Sequence, residues 1–147
     1  MATAMKISKA DVWATEMQDQ PGALARALEA LAGAGASVEC VIGRRRADKP
    51  GSGVVYLAPV KGKKAEAAAR AAGMVPASSI ATLRIEGADK AGLGSRIARA
   101  IADAGINVRG VSAAVIGNKF VAYIGFDSAD DAARAAKAVK SVGSKKK

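Results

Sequence analysis

Apolar and polar positions change period several times along the chain, and each change marks an element. In DVWATEM (residues 11–17), Val12, Ala14 and Glu16 fall on one side and Trp13, Thr15 and Met17 on the other. That alternation, with its β-branched and aromatic content, predicts a short strand. After Asp19, Gln20, Pro21 and Gly22 the spacing turns helical, with Leu24, Ala27, Leu28 and Leu31 on one stripe. Pro21 suits the first helical position, where a missing N–H costs nothing. The glycines at 33 and 35 end the helix, because glycine accepts the left-handed C′ conformation. Residues 37–46 and 53–60 read as strands, and ADKPGS between them has hairpin turn chemistry. Residues 62–72, rich in alanine, lysine and glutamate, predict a second helix stopped by Gly73, and residues 74–79 a final short strand.

The same order then returns. DQPGALARALEALAGAGASV (19–38) aligns with DKAGLGSRIARAIADAGINV (89–108) at a shift of 70, matching Asp19 to Asp89, Gly22 to Gly92, Arg26 to Arg96 and Gly35 to Gly105. Ala27/Ile97, Leu31/Ile101 and Val38/Val108 keep the apolar stripe. A period this long fits a tandemly duplicated small domain rather than a solenoid. The second copy predicts strand 80–86, helix 91–104, strands 106–116 and 119–126, and helix 128–139. For its last strand, SVGSKKK offers little to pair. Strand–helix–strand–strand–helix–strand is the split-βαβ order, with both helices on one face of a four-stranded antiparallel sheet. The expected fold is therefore α+β, two tandem ferredoxin-like βαββαβ units, divided into residues 1–78 and 79–147, the second with a basic tail.

A strand, D-x-[PA]-G, an apolar helix and G-[AI]-[SN]-V opening the next strand resemble the ACT domain, the amino-acid-sensing module of metabolic enzymes. Two such units with nothing attached resemble the free-standing tandem ACT proteins; the likeness runs from about Ala10 to about Val139, with Ala91 standing where the pattern prefers proline. The resemblance implies a non-catalytic regulatory protein that binds an amino acid or similar small ligand at an interface between modules, through the first loop and helix start. It implies a homo-oligomer, and no cofactor or metal. The ligand-binding residues it points to are Asp19, Gln20, Pro21, Gly22, Ala23 and Leu24, with Ser37, and in the second copy Asp89, Lys90, Ala91, Gly92 and Leu93, with Asn107.

The chemistry of those loops agrees. Helix N-termini leave backbone N–H groups unpartnered at the positive end of the dipole, a suitable place for a carboxylate. Gly22 and Gly92 leave the backbone open to close approach. Asp19 and Asp89 can accept from an ammonium group, or can simply cap their helices. Ser37 and Asn107 can reach a ligand from a neighbouring module or can satisfy their own turns.

Composition narrows the alternatives. The chain of 147 residues has no histidine and one cysteine, Cys40, which reads as an inert strand thiol. With no phosphate-cradling loop and no metal-ligand spacing, catalysis is not expected. A net charge of +10 raises nucleic acid as a partner, but the runs RRRADK, KGKK and SKKK fall in expected loops and a tail, as solvated charge. KFVAYIGF (119–126) resembles the third strand of RNA-recognition domains, yet Phe120, Val121 and Arg84 stand at places that family fills otherwise. Tyr123 remains as a lone stacking platform, so nucleic acid stays the alternative rather than the first reading. A further alternative is a partner-binding regulator with no small ligand, for which Trp13 and Tyr123 are candidate surface residues. No apolar run reaches a membrane span and no secretory leader is visible, so a cytoplasmic protein with no membrane partner is expected.

Overall fold

The computed structural model describes residues 5–144. The chain forms two compact units, one of residues 11–77 and one of residues 1–10 with 78–147. In the first, β2 (Trp13–Gln18), α1 (Ala23–Gly33), β3 (Cys40–Arg45), β4 (Ser52–Ala58), α2 (Lys63–Ala71) and β5 (Val75–Pro76) follow one another. Their sheet has the order β3-β4-β2-β5, antiparallel throughout. Trp13, Val55 and Leu57 point from it toward Ala27 and Leu31 of α1 and Ala65 and Ala69 of α2.

The other unit contains β6 (Ala81–Ala88), α3 (Leu93–Asp103), β7 (Gly110–Ile116), β8 (Lys119–Phe126) and α4 (Ala129–Ser144). Its fourth strand comes from the far end of the chain. Met5–Lys9 forms β1, which pairs antiparallel with β6, Ile7 opposite Ile85, giving the order β1-β6-β8-β7. The strand missing from SVGSKKK is thus supplied by MKISK, so the boundary expected after residue 78 leaves β1 with the wrong half. Met5 and Ile7 pack against the core of Ile85, Ile101, Phe126 and Val139. Fully burying a side chain such as Phe126, 0% exposed, stabilises by about 1.5–3 kcal/mol. A lone amphipathic strand gains that term only against a sheet, and β6 has a free edge. Both units are thus ferredoxin-like and α+β, as the period predicted.

Several boundaries shift. The helix α1 begins at Ala23, so Pro21 lies outside it, and Gly22 is the N-cap. Expected strands at 37 and 106 begin at Cys40 and Gly110. The intervening residues close the preceding helices: Ala36 and Ile106 N–H groups donate to the Leu31 and Ile101 carbonyls at 3.0 and 3.2 Å. The last helix continues past 139, letting Val142 pack against the core. No helix among the described residues is long and apolar enough to cross a membrane, and no cluster there suits a metal ion.

Candidate functional site

In each unit the loop after the first central strand is tied down by the tip of the following hairpin. The Asp19 N–H donates to the Gly51 carbonyl at 3.0 Å, and the Asp89 N–H to the Asn118 carbonyl at 2.8 Å. Each loop then turns at a left-handed glycine, Gly22 with φ 90° and Gly92 with φ 82°. A side chain there would be strained. A Cβ on either glycine would also lie 3.2 Å from Arg26 Nη1 or 3.3 Å from Arg96 Nη1. Both guanidinium groups therefore curl back over the helix start. The Arg26 and Arg96 N–H groups close the first helical turn onto Gly22 and Gly92, each at 3.0 Å, and neither helix has a side-chain cap. The N–H groups of Leu24 and Ala25, and of Gly94 and Ser95, remain available. Two N–H donors beside an arginine suit a carboxylate.

Asp19 does not cap α1. Its Oδ2 lies 2.9 Å from Arg45 Nε, so the carboxylate that an ammonium group would meet already holds a cation. Asp89 has no side-chain partner among the described residues, and it too leaves its helix uncapped. Gln20, Pro21, Lys90 and Ala91 are exposed. Ser37 and Asn107 lie exposed in the turns that lead to β3 and β7.

Beneath the loops the units differ. In the 11–77 unit an open pocket of about 430 Å³ is lined by Thr15, Gln18, Gln20, Ala23, Arg26 and Ala72, among others. Two features create it. The two-residue β5 reaches only Trp13 and Ala14 of β2, leaving the edge from Thr15 to Gln18 without a neighbouring strand. The lining residues are also small. At a shift of 70, which holds up to the hairpin, Thr15, Ala23 and Ala27 correspond to Ile85, Leu93 and Ile97. These larger residues are 0%, 3% and 4% exposed. There β1 also runs beside β6 from Leu83 to Gly87. The second loop therefore sits on a filled core. A pocket of about 590 Å³ in that unit takes Lys6, Arg84, Glu86 and Lys119 from the sheet and none of its lining from α3. Sequence reading named the loop residues but missed Thr15, Gln18, Arg26, Ala27 and Ala72. The Arg26–Arg96 match in the repeat was the available signal for one of them.

The basic segment after β3 is less free than its sequence suggests. Arg46 reaches Glu16 at 2.7 Å and Asp48 at 2.6 Å, and Lys49 also binds Glu16. The Lys49 hydrogen bond holds the Glu16 carboxyl below its usual range, and Arg46 does the same for Asp48. The candidate surface aromatics are buried. Trp13 is 5% exposed, with Arg70 4.9 Å from its ring centre. Tyr123 is 8% exposed; its hydroxyl accepts from Arg84 Nε at 3.0 Å, and Arg84 also pairs with Glu86. A tyrosine so covered presents no face for a base to stack on. The half-buried Cys40 thiol is pushed up by burial, which favours the unreactive form.

A search of curated proteins finds no match to this chain. Among solved structures, it is similar to the ligand-free regulatory subunit of aspartate kinase from Thermus thermophilus, with 20% identity over 97% of both chains and a TM-score of 0.63. The regulatory subunit of aspartate kinase from Thermus flavus gives 24% identity, the same coverage and a TM-score of 0.60. Protein BT0572 from Bacteroides thetaiotaomicron gives 14% identity over 91% of this chain and 90% of its own, with a TM-score of 0.75. At these identities the likeness is one of fold. The ACT domain model matches residues 81–143. Residues 81–143 are therefore an ACT domain, and residues 11–77 repeat its order of strands and helices.

Proposed function

We propose that this chain is a non-catalytic regulatory module that senses a free amino acid in the pocket beneath the first loop. The observation that carries the proposal is the difference between the copies: the cavity opens under Gln20 and Ala23 and is filled under Lys90 and Leu93. In this reading the ligand carboxylate meets the Leu24 and Ala25 N–H groups and Arg26. The ammonium is met by the side-chain oxygens of Gln18 and Gln20. Asp19 holds the loop through Arg45 rather than touching the ligand. The second loop, Asp89 to Leu93, keeps the backbone form without the space. The fold shared with regulatory subunits of aspartate kinase supports a regulatory role. The module works as a homo-oligomer.

The test is a thermal-shift panel of the twenty amino acids at millimolar concentration. A ligand at about 100 times its Kd stabilises by about 2.7 kcal/mol, which raises Tm by about 5–10 °C for a chain of this length. Ala23→Leu, which gives the first loop the side chain found in the second, should abolish the shift. Leu93→Ala should leave it in place. A panel in which no amino acid shifts the wild type would overturn the reading.

A further inference from the structure

Both copies carry a carboxylate at the same place, Glu16 on β2 and Glu86 on β6, matched at the shift of 70. Leu83 and Ile85 point into the core, so Arg84 and Glu86 point away from the helices. Around Glu16 the charges balance. The six residues that join β3 to β4 bring Arg46 and Lys49 to it, and Asp48 also holds Arg46, so two cations meet two carboxylates.

Around Glu86 the supply of charge is different. The β7–β8 hairpin turns in two residues, Gly117 and Asn118, and has no loop to lay across the sheet. Cations come instead from three strands: Lys6 of β1, opposite Glu86 in the register, Arg84 of β6, and Lys119 of β8. All of them line the pocket of about 590 Å³ together with Glu86. Arg84 first, and Lys6 and Lys119 with it, hold the Glu86 carboxyl below its usual range. Arg84 is paired with Glu86. Lys6 and Lys119 are exposed and have no hydrogen-bond or ion-pair partner among the described residues. In the register they stand two strands and two residues apart, about 12 Å at Cα. Two four-carbon stems can close that gap around one anion.

The same pocket has an apolar wall. Ile116, 84% exposed, lies opposite Lys119 in the register, and Val121 lies two residues along from it on the same face. A bare ion would use the lysines alone, whereas a ligand with an apolar body would also take Ile116 out of water.

We propose that this pocket binds a small organic dianion of the phosphate-monoester class, its phosphate held between Lys6 and Lys119 and its apolar body laid on Ile116 and Val121. A monoester carries about 1.5–2 negative charges at pH 7, which two lysines match. The site goes beyond the proposed function, since it shares no residue with the pocket beneath the first loop.

The probe is phenyl phosphate, titrated into the full chain and followed by calorimetry and by amide chemical shifts. Binding should saturate, with shifts at Gly87, Lys119 and Val121. Lys6→Gln and Lys119→Gln should each weaken it about tenfold or more, the scale of a hydrogen bond to a charged group. Both lysines are exposed, so circular dichroism should not change. Lys137→Gln with Lys140→Gln removes two charges from exposed positions of α4. That pair should alter the affinity little at about 0.15 M salt, where distant surface charges are screened. Ile116→Ser should weaken phenyl phosphate about threefold to tenfold and leave the weaker binding of inorganic phosphate unchanged. A phenyl phosphate titration that fails to saturate, inorganic phosphate that binds as tightly as the ester, or an affinity that survives both Lys6→Gln and Lys119→Gln overturns the site. So does an equal loss in the Lys137→Gln, Lys140→Gln chain, which would show only diffuse attraction to a basic protein.

Discussion

The first turn of each long helix allows the difference between the two copies to be tested by stability. Leu93 is 3% exposed and packs with Ile85 and Ile97; Ala23, its counterpart, lines an open pocket. Leu93→Ala removes about three carbon groups, each worth about 0.8 kcal/mol when buried, or about 2.4 kcal/mol together. The cavity left behind adds to this, and the first helical turn can relax only partly. The expected cost is about 2.5–4 kcal/mol, within the usual range for such truncations. Ala23→Leu adds the same groups to an open space. If half of their surface leaves water, the gain is about 1 kcal/mol.

Urea denaturation with far-ultraviolet circular dichroism measures both variants. The fluorescence of Trp13, the only tryptophan, reports the unit that contains Ala23. An unchanged m-value would show that the folded states alone differ. In thermal scans Leu93→Ala should lower Tm by about 5–15 °C, and Ala23→Leu should raise it by a few degrees. A Leu93→Ala cost under about 1 kcal/mol would refute the reasoning, because it would mean that the second loop does not sit on a filled core. So would an Ala23→Leu variant destabilised by more than about 1 kcal/mol, since overpacking requires a site already full.

Three further outcomes follow from the same geometry. Gly22→Val should cost about 1–3 kcal/mol, since it forces a β-branched residue into φ 90°, and it should push Arg26 off the helix start; chemical denaturation reads the first effect and the amino-acid thermal shift the second. Tyr123→Phe removes the acceptor of the Arg84 hydrogen bond while keeping the ring, so it should lower stability by about 1 kcal/mol and leave any salt-dependent nucleic-acid retention unchanged in a gel-shift assay. Glu16, Asp48 and Glu86 all have carboxyl groups held below their ordinary values of 4.5, 3.8 and 4.5 by neighbouring cations. Folded values below unfolded ones mean that the native state binds fewer protons, so their contribution is present above those values and fades as pH falls through the acid range beneath them. A urea-midpoint series from pH 6 to pH 3 should therefore decline, and Glu16→Gln should flatten it.

Most of the architecture was legible in the chain because it is written in local periods. Alternation in WATEM and the helical stripe of Leu24, Ala27 and Leu31 each follow from neighbours within a few residues, and the duplication repeats them. The glycines at 22 and 92 were legible as well, since a residue without a Cβ is informative wherever the backbone must turn left-handed. What tertiary structure decided was every relation between distant segments. MKISK carries a weak strand pattern, and nothing local says that its partner is β6, some eighty residues away. Asp19 reads as a helix cap until the hairpin brings Arg45 to it. Tyr123 reads as a stacking platform until Arg84 closes over it. The pocket depended on two features that meet only in the fold, a short β5 and alanines at 23, 27 and 72, where the other copy fills the space with Leu93 and Ile97. Sequence determines which groups are present and the local shape of the backbone that carries them. Burial and pairing are properties of the space between segments, set only when the sheet closes and the core packs.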